Sequence, residues 1–125
     1  MWFGRLDDGV QGLWQRDELG ELIVLDDRLT RRERRCVLAH ELVHAERGIG
    51  HGAATEATMQ REEATVRREV ARRLVPEVEL RAFVARALTV GPVTVEQIAD
   101  EFDVDHDVAA EAARRTRALE RENPG

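Results

Sequence analysis

The run Cys36-Val37-Leu38-Ala39-His40-Glu41-Leu42-Val43-His44 restricts the fold of this chain more than any other stretch. Its apolar residues belong in a core, yet it carries two histidines and a glutamate into that core, and groups of that polarity are buried only where they have partners. A helix meets both demands. Residues four apart share one face, so His40 and His44 project side by side with Glu41 next to them. This H-E-x-x-H spacing lets two imidazole nitrogens hold one zinc ion while the adjacent glutamate acts as a base, which is the layout of a zinc hydrolase. The pattern is short enough to arise by chance in a chain with four histidines and abundant glutamate, so its surroundings must decide. The plain alternative is a core helix whose histidines are satisfied by backbone or carboxylate partners.

The flanking sequence supplies limits for that helix. Thr30 followed three residues later by Glu33 is a capping box, and Gly48, Gly50 and Gly52 end the helix after Arg47. Before it, residues 9–27 read as a β-hairpin: Gly12-Leu13-Trp14-Gln15, a polar turn at Asp17-Glu18-Leu19-Gly20, then Leu22-Ile23-Val24-Leu25. After the glycines a second long helix is predicted over 55–75, closed by Pro76. Three more follow at 77–88, 94–102 and 106–121, the last capped by Asp105, with Asn123-Pro124-Gly125 as a frayed tail. The expectation is an α+β fold in which a small antiparallel hairpin packs on a mostly helical, zincin-like core. It forms a single domain over 1–125, with hairpin, pentad helix and second helix in 9–76 and a helical part in 77–121.

Length and composition narrow the functional classes. A chain of 125 residues with 42% hydrophobic content suits one modest core. No apolar run approaches the roughly 20 residues that span a bilayer. The start Met1-Trp2-Phe3-Gly4-Arg5-Leu6-Asp7-Asp8 lacks the features of a signal peptide, so no membrane association and a cytoplasmic location are expected. The lone Cys36 excludes an internal disulfide and fits a reducing compartment. It precedes His40 by one helical turn, so it is either a small buried packing residue or a sulfur ligand.

The net charge of −6 argues against a general nucleic-acid binder. All basic residues are arginines, and their clusters alternate with glutamate as on solvated helix faces. Residues 94–108 resemble a helix-turn-helix with Ile98, Ala99, Phe102, Val104 and Val108 at its core positions. Its second helix opens His106-Asp107-Val108-Ala109-Ala110-Glu111, whose acids repel phosphate, so it reads as a packing module with no direct nucleic-acid partner.

Two histidines do not complete a catalytic zinc site, and the chain offers His51, Glu62 and Glu63 for the third ligand. His51 falls one residue later than the third histidine of the metzincin pattern, which disfavours it. In the second helix Met59, Val66, Val70 and Leu74 recur at helical spacing, and Glu63 lies on that stripe while Glu62 turns toward Glu69 and Arg73. A carboxylate in an apolar stripe requires a partner, which is either a metal or an arginine. Glu63 also follows His44 at a distance that lets one helix end, the chain turn, and the next helix return beside it.

Asp26-Asp27-Arg28-Leu29, the run Arg34 to His44, Glu63-Ala64-Thr65-Val66, and Ala71-Arg72-Arg73-Leu74-Val75-Pro76 together resemble the ImmA/IrrE family of metallo-endopeptidases. The match covers residues 9–76 well and the later helices loosely. It departs from the family pattern at Arg67 and Glu69. The resemblance implies metal binding by His40, His44 and Glu63, catalysis by Glu41, zinc or another divalent ion such as manganese as cofactor, and a protein substrate such as a helix-turn-helix transcriptional repressor. Zinc would lower the pKa of a water toward about 7, and Glu41 would take its proton and pass it to the leaving amine. The chain has no tyrosine to help stabilise the oxyanion, which leaves His51, His106 or an arginine. The runner-up reading is a non-catalytic metal-binding interaction protein of the same fold. A DNA-binding regulator comes third.

Overall fold

A computed structural model of the chain describes residues 1–48 and 55–122, with side chains as far as residue 117. The elements are β1 (Trp2–Gly4), β2 (Gly12–Asp17), β3 (Gly20–Asp26), α1 (Arg31–Arg47), α2 (Glu56–Leu74), α3 (Glu77–Leu88), α4 (Val95–Phe102) and α5 (His106–Glu122). The class is α+β, with a small sheet and a helical core. The chain divides into two compact units, Met1–Val66 and Arg67–Gly125, and α2 runs from one into the other.

In the first unit β2 and β3 form the expected antiparallel hairpin, pairing Gly12 with Leu25, Trp14 with Ile23 and Asp17 with Gly20. At its turn Asp17 Oδ1 accepts from the Leu19 N–H at 2.8 Å, and Gly20 takes φ +127°, a value that side-chain-bearing residues rarely adopt. One strand was not foreseen. β1 pairs in parallel with β3, Trp2 opposite Val24 and Gly4 opposite Asp26, so the sheet is mixed, with order β1-β3-β2. A strand of three residues with Trp2 and Phe3 exposed has too little alternation to be read from sequence.

The corner between β3 and α1 is built on Asp26. Its Oδ1 accepts from the backbone N–H and Nε of Arg28 at 2.8 and 2.9 Å, and its Oδ2 from Arg28 Nη2 at 2.6 Å and the Leu6 N–H at 3.3 Å. Arg28 Nη2 also donates to the Leu6 carbonyl at 3.0 Å, so the pair ties the segment after β1 to the entry of the next helix. The Arg28 guanidinium holds the Asp26 carboxyl far below the usual carboxylate range.

α1 starts where the capping box predicts. Thr30 Oγ1 accepts from the Glu33 N–H at 3.2 Å, and Glu33 Oε1 accepts from the Thr30 N–H at 2.9 Å. It ends at Gly48, whose φ of 68° is the left-handed cap and whose N–H donates to the His44 carbonyl at 2.9 Å. The helix packs on β2 and β3 and buries Cys36, Val37, Val43 and Ala45 together with Glu41 and His44. Gly50, His51 and Gly52 lie outside the described residues.

In the second unit α4 packs against α5. α4 begins with a capping box between Thr94 and Gln97 and ends at Asp103 in the left-handed region, φ 54°. Asp105 Oδ1 accepts from the Val108 N–H at 2.9 Å, capping α5 as the sequence suggests. Leu80, Ile98, Ala99, Val104, Ala109 and Ala112 are buried, Phe83 meets Phe102 edge to face at 6.0 Å, and Arg115 Nη2 donates to the Val75 carbonyl at 2.5 Å. No helix among the described residues is long and apolar enough to cross a membrane.

Candidate metal centre

α1 presents His40 and His44 one turn apart, with ring centroids 4.6 Å apart and planes inclined at 74°. α2 brings Glu63 against both. Its Oε2 lies 3.1 Å from His40 Nε2 and its Oε1 lies 2.9 Å from His44 Nε2. One donor atom from each of the three residues falls within 4.8 Å of the others, so a single ion can be reached by all three. Two imidazole nitrogens and one carboxylate oxygen are the donor set of a borderline divalent cation such as zinc, so the residues fit the ion that the pentad implies. Exposure is uneven: the His44 side chain is 4% exposed, those of His40 and Glu63 34% and 36%. The cluster is thus enclosed at His44 and partly open at His40 and Glu63.

Glu41 is buried next to this cluster, and its Oε1 lies 3.6 Å from His40 Nδ1. Glu41, and after it Glu63, raise the His40 pKa above the ordinary imidazole value, while burial acts the other way. The carboxylate is also pressed against the sheet. A Cβ on Gly12, the first residue of β2, would stand 3.2 Å from Glu41 Oε1, 3.1 Å from its Cγ and 2.6 Å from Val37 Cγ1. Only glycine lets the strand pass this close to the helix. A short strand that opens on glycine gives no sign of this in sequence, because the contact belongs to the tertiary fold.

Glu63 lies where the helical stripe placed it, although that stripe is only partly buried. Val66 and Val70 are enclosed, whereas Met59 is 37% exposed. Glu62 departs from expectation. Rather than facing solvent beside Glu69 and Arg73, its side chain is 12% exposed and accepts two hydrogen bonds from Arg47, at 2.5 Å from Nε and 2.9 Å from Nη2. Glu69 pairs instead with Arg72 and Arg73 on its own helix. The reason is that Arg47, in the last turn of α1, is long enough to reach across to Glu62, and helical phase within α2 says nothing about that neighbour.

Cys36 is buried, and the converging group among the described residues does not include it. His51 lies outside the described residues. His106 belongs to the second unit, where its Nδ1 lies 3.4 Å from Glu96.

Comparison with protein families matches residues 5–116, nearly the whole chain, to a peptidase family model described as the IrrE N-terminal-like domain. Comparisons with curated proteins and with solved structures give no match.

Proposed function

The chain belongs to the IrrE N-terminal-like peptidase family, a metallopeptidase-type family, and on that premise we propose that it is a zinc-dependent endopeptidase that hydrolyses a peptide bond in a protein substrate. The observation that carries this reading is the convergence of His40, His44 and Glu63 with Glu41 buried on the adjoining residue. His40 and His44 would hold the ion through their Nε2 atoms and Glu63 through a carboxylate oxygen. When bound, zinc supplies Lewis acidity, which activates water near neutral pH and polarises the substrate carbonyl.

The rest of the chemistry falls to the chain's own groups. Glu41, enclosed between α1 and β2, takes the proton of the attacking water on a carboxylate oxygen and delivers it to the amine that leaves. The close approach of β2 at Gly12 leaves that oxygen little room to swing away between the two transfers. Proximity to His40 Nδ1 gives the carboxylate a polar neighbour within the apolar wall. The half-open faces of His40 and Glu63 are where a peptide would enter.

We place the reaction in the cytoplasm, a setting that suits a chain with only one cysteine. A helix-turn-helix transcriptional repressor is the proposed substrate, on the family resemblance alone. The test is to incubate the purified protein with the repressor encoded by a neighbouring gene, with and without chelator, and to map products by mass spectrometry. Cleavage that stops with chelator and returns with zinc is expected. Cleavage that survives both chelation and Glu41→Gln would overturn the proposal.

A further inference from the structure

Neighbouring carboxylates on α2 reach different points of α1. Glu63 meets His40 and His44 at 3.1 and 2.9 Å, whereas Glu62 takes both nitrogens of the Arg47 fork at 2.5 and 2.9 Å. Consecutive helical residues diverge by about 100°, so fastening residue 62 fixes the direction in which residue 63 points. The pairing is more constrained than an ordinary surface ion pair. It is bidentate, and the Glu62 side chain is only 12% exposed.

Glu63 needs such support. A glutamate has several rotatable bonds, and a side chain 36% exposed retains rotamer freedom that metal binding must remove. We propose that Arg47 and Glu62 are positioning residues that set the rotation of α2 against α1 and so hold the Glu63 carboxylate on the two histidines, raising the affinity for the divalent ion without touching it. This rests on the metal-centre reading above.

The test is the zinc dissociation constant, measured by competition with a chromophoric chelator well below the unfolding temperature, alongside melting of the ion-free proteins. Arg47→Lys keeps the charge but loses the fork geometry, Arg47→Ala removes both, and an Arg47→Glu/Glu62→Arg exchange restores an oppositely charged pair. Arg47→Ala is expected to weaken zinc binding about tenfold, at the lower end of what supporting residues around metal sites contribute. Arg47→Lys should fall between it and wild type, and the exchange should recover part of the loss.

The sign is decisive, because removing a cation near a cation site would by itself tighten binding. Arg47→Ala or Arg47→Lys proteins that bind zinc as tightly as wild type, or more tightly, overturn the inference. So does a lowered melting temperature with an unchanged dissociation constant, the mark of a purely structural pair. If Arg47→Ala fails to fold, Arg47→Lys decides. Failure of the underlying reading looks different. A wild-type protein that takes up no zinc, or whose binding His44→Ala does not reduce, removes the metal centre and this inference with it. A wild type that loses its ion in His44→Ala but not in the Arg47 variants removes this inference alone.

Discussion

His44 Nε2 and Glu63 Oε1 lie 2.9 Å apart, one on an almost enclosed side chain of α1 and the other on a carboxylate of α2 that is a third open to solvent. Donors from two helices make ion binding a cross-link between them, so the ion should stabilise the folded chain as well as serve chemistry. Zinc at a hundred times its dissociation constant should add about 2.7 kcal/mol. The expected result is a melting temperature that rises with zinc and falls with chelator in the wild type. In His44→Ala and Glu63→Ala it should stay flat, with the bound equivalent lost by elemental analysis. A Glu63→Ala protein that keeps a full equivalent would remove Glu63 from the ligand set.

The geometry around His40, His44 and Glu63 was legible in sequence because each position obeys a local rule. Thr30 and Glu33 set where α1 begins, the four-residue spacing put two imidazoles on one face, and the stripe through Val66 and Val70 gave Glu63 its direction. What escaped depends on neighbours distant in the chain. β1 is too short to carry a period, Glu62 is claimed by Arg47 from another helix, and Gly12 is required by Val37 and Glu41 across the packing of β2 on α1. Helical phase orders residues within one element. It does not say which side chain of the next element will reach them.

Glu41→Gln tests the base without changing the shape of the site. The amide fills the same space between α1 and β2 but cannot take a proton, so the variant should bind zinc as wild type does and lose about a hundredfold to ten-thousandfold in cleavage rate. Zinc stoichiometry and single-turnover cleavage measured on the same preparation check this. Undiminished cleavage would mean that another group accepts the proton.

Asp26 gives the fold a dependence on acid. Its carboxyl is held far below the ordinary value by Arg28, so the folded state favours the ionised form and the unfolded state binds the proton more readily. The stabilisation is therefore complete above the unfolded carboxylate value of about 3.9 and is lost as pH falls below it. Asp26→Asn cannot hold the Arg28 fork in the same way. It should melt below wild type at neutral pH, and the gap should narrow as the solution is acidified toward the folded-state value. Melting curves of both proteins over an acid series provide the measurement, and a gap independent of pH would assign the effect to shape rather than charge.

Gly12→Ala should show how tightly the sheet is pressed against the helix that carries the pentad. The added methyl would lie 2.6 Å from Val37 Cγ1, closer than carbon atoms approach, and 3.2 Å from Glu41 Oε1. Overpacking of this kind costs about 1–3 kcal/mol, and denaturant unfolding of the single variant should show a loss in that range. Val37→Ala removes the nearest obstacle, so the double variant should be more stable than the two single losses predict, with a coupling of about 1 kcal/mol. The contact with Glu41 remains in the double variant. Restored stability with cleavage still depressed would separate the two functions of the glycine, which are to admit the helix and to leave room for the carboxylate. Additive losses would show that β2 and α1 move apart freely when the methyl is added.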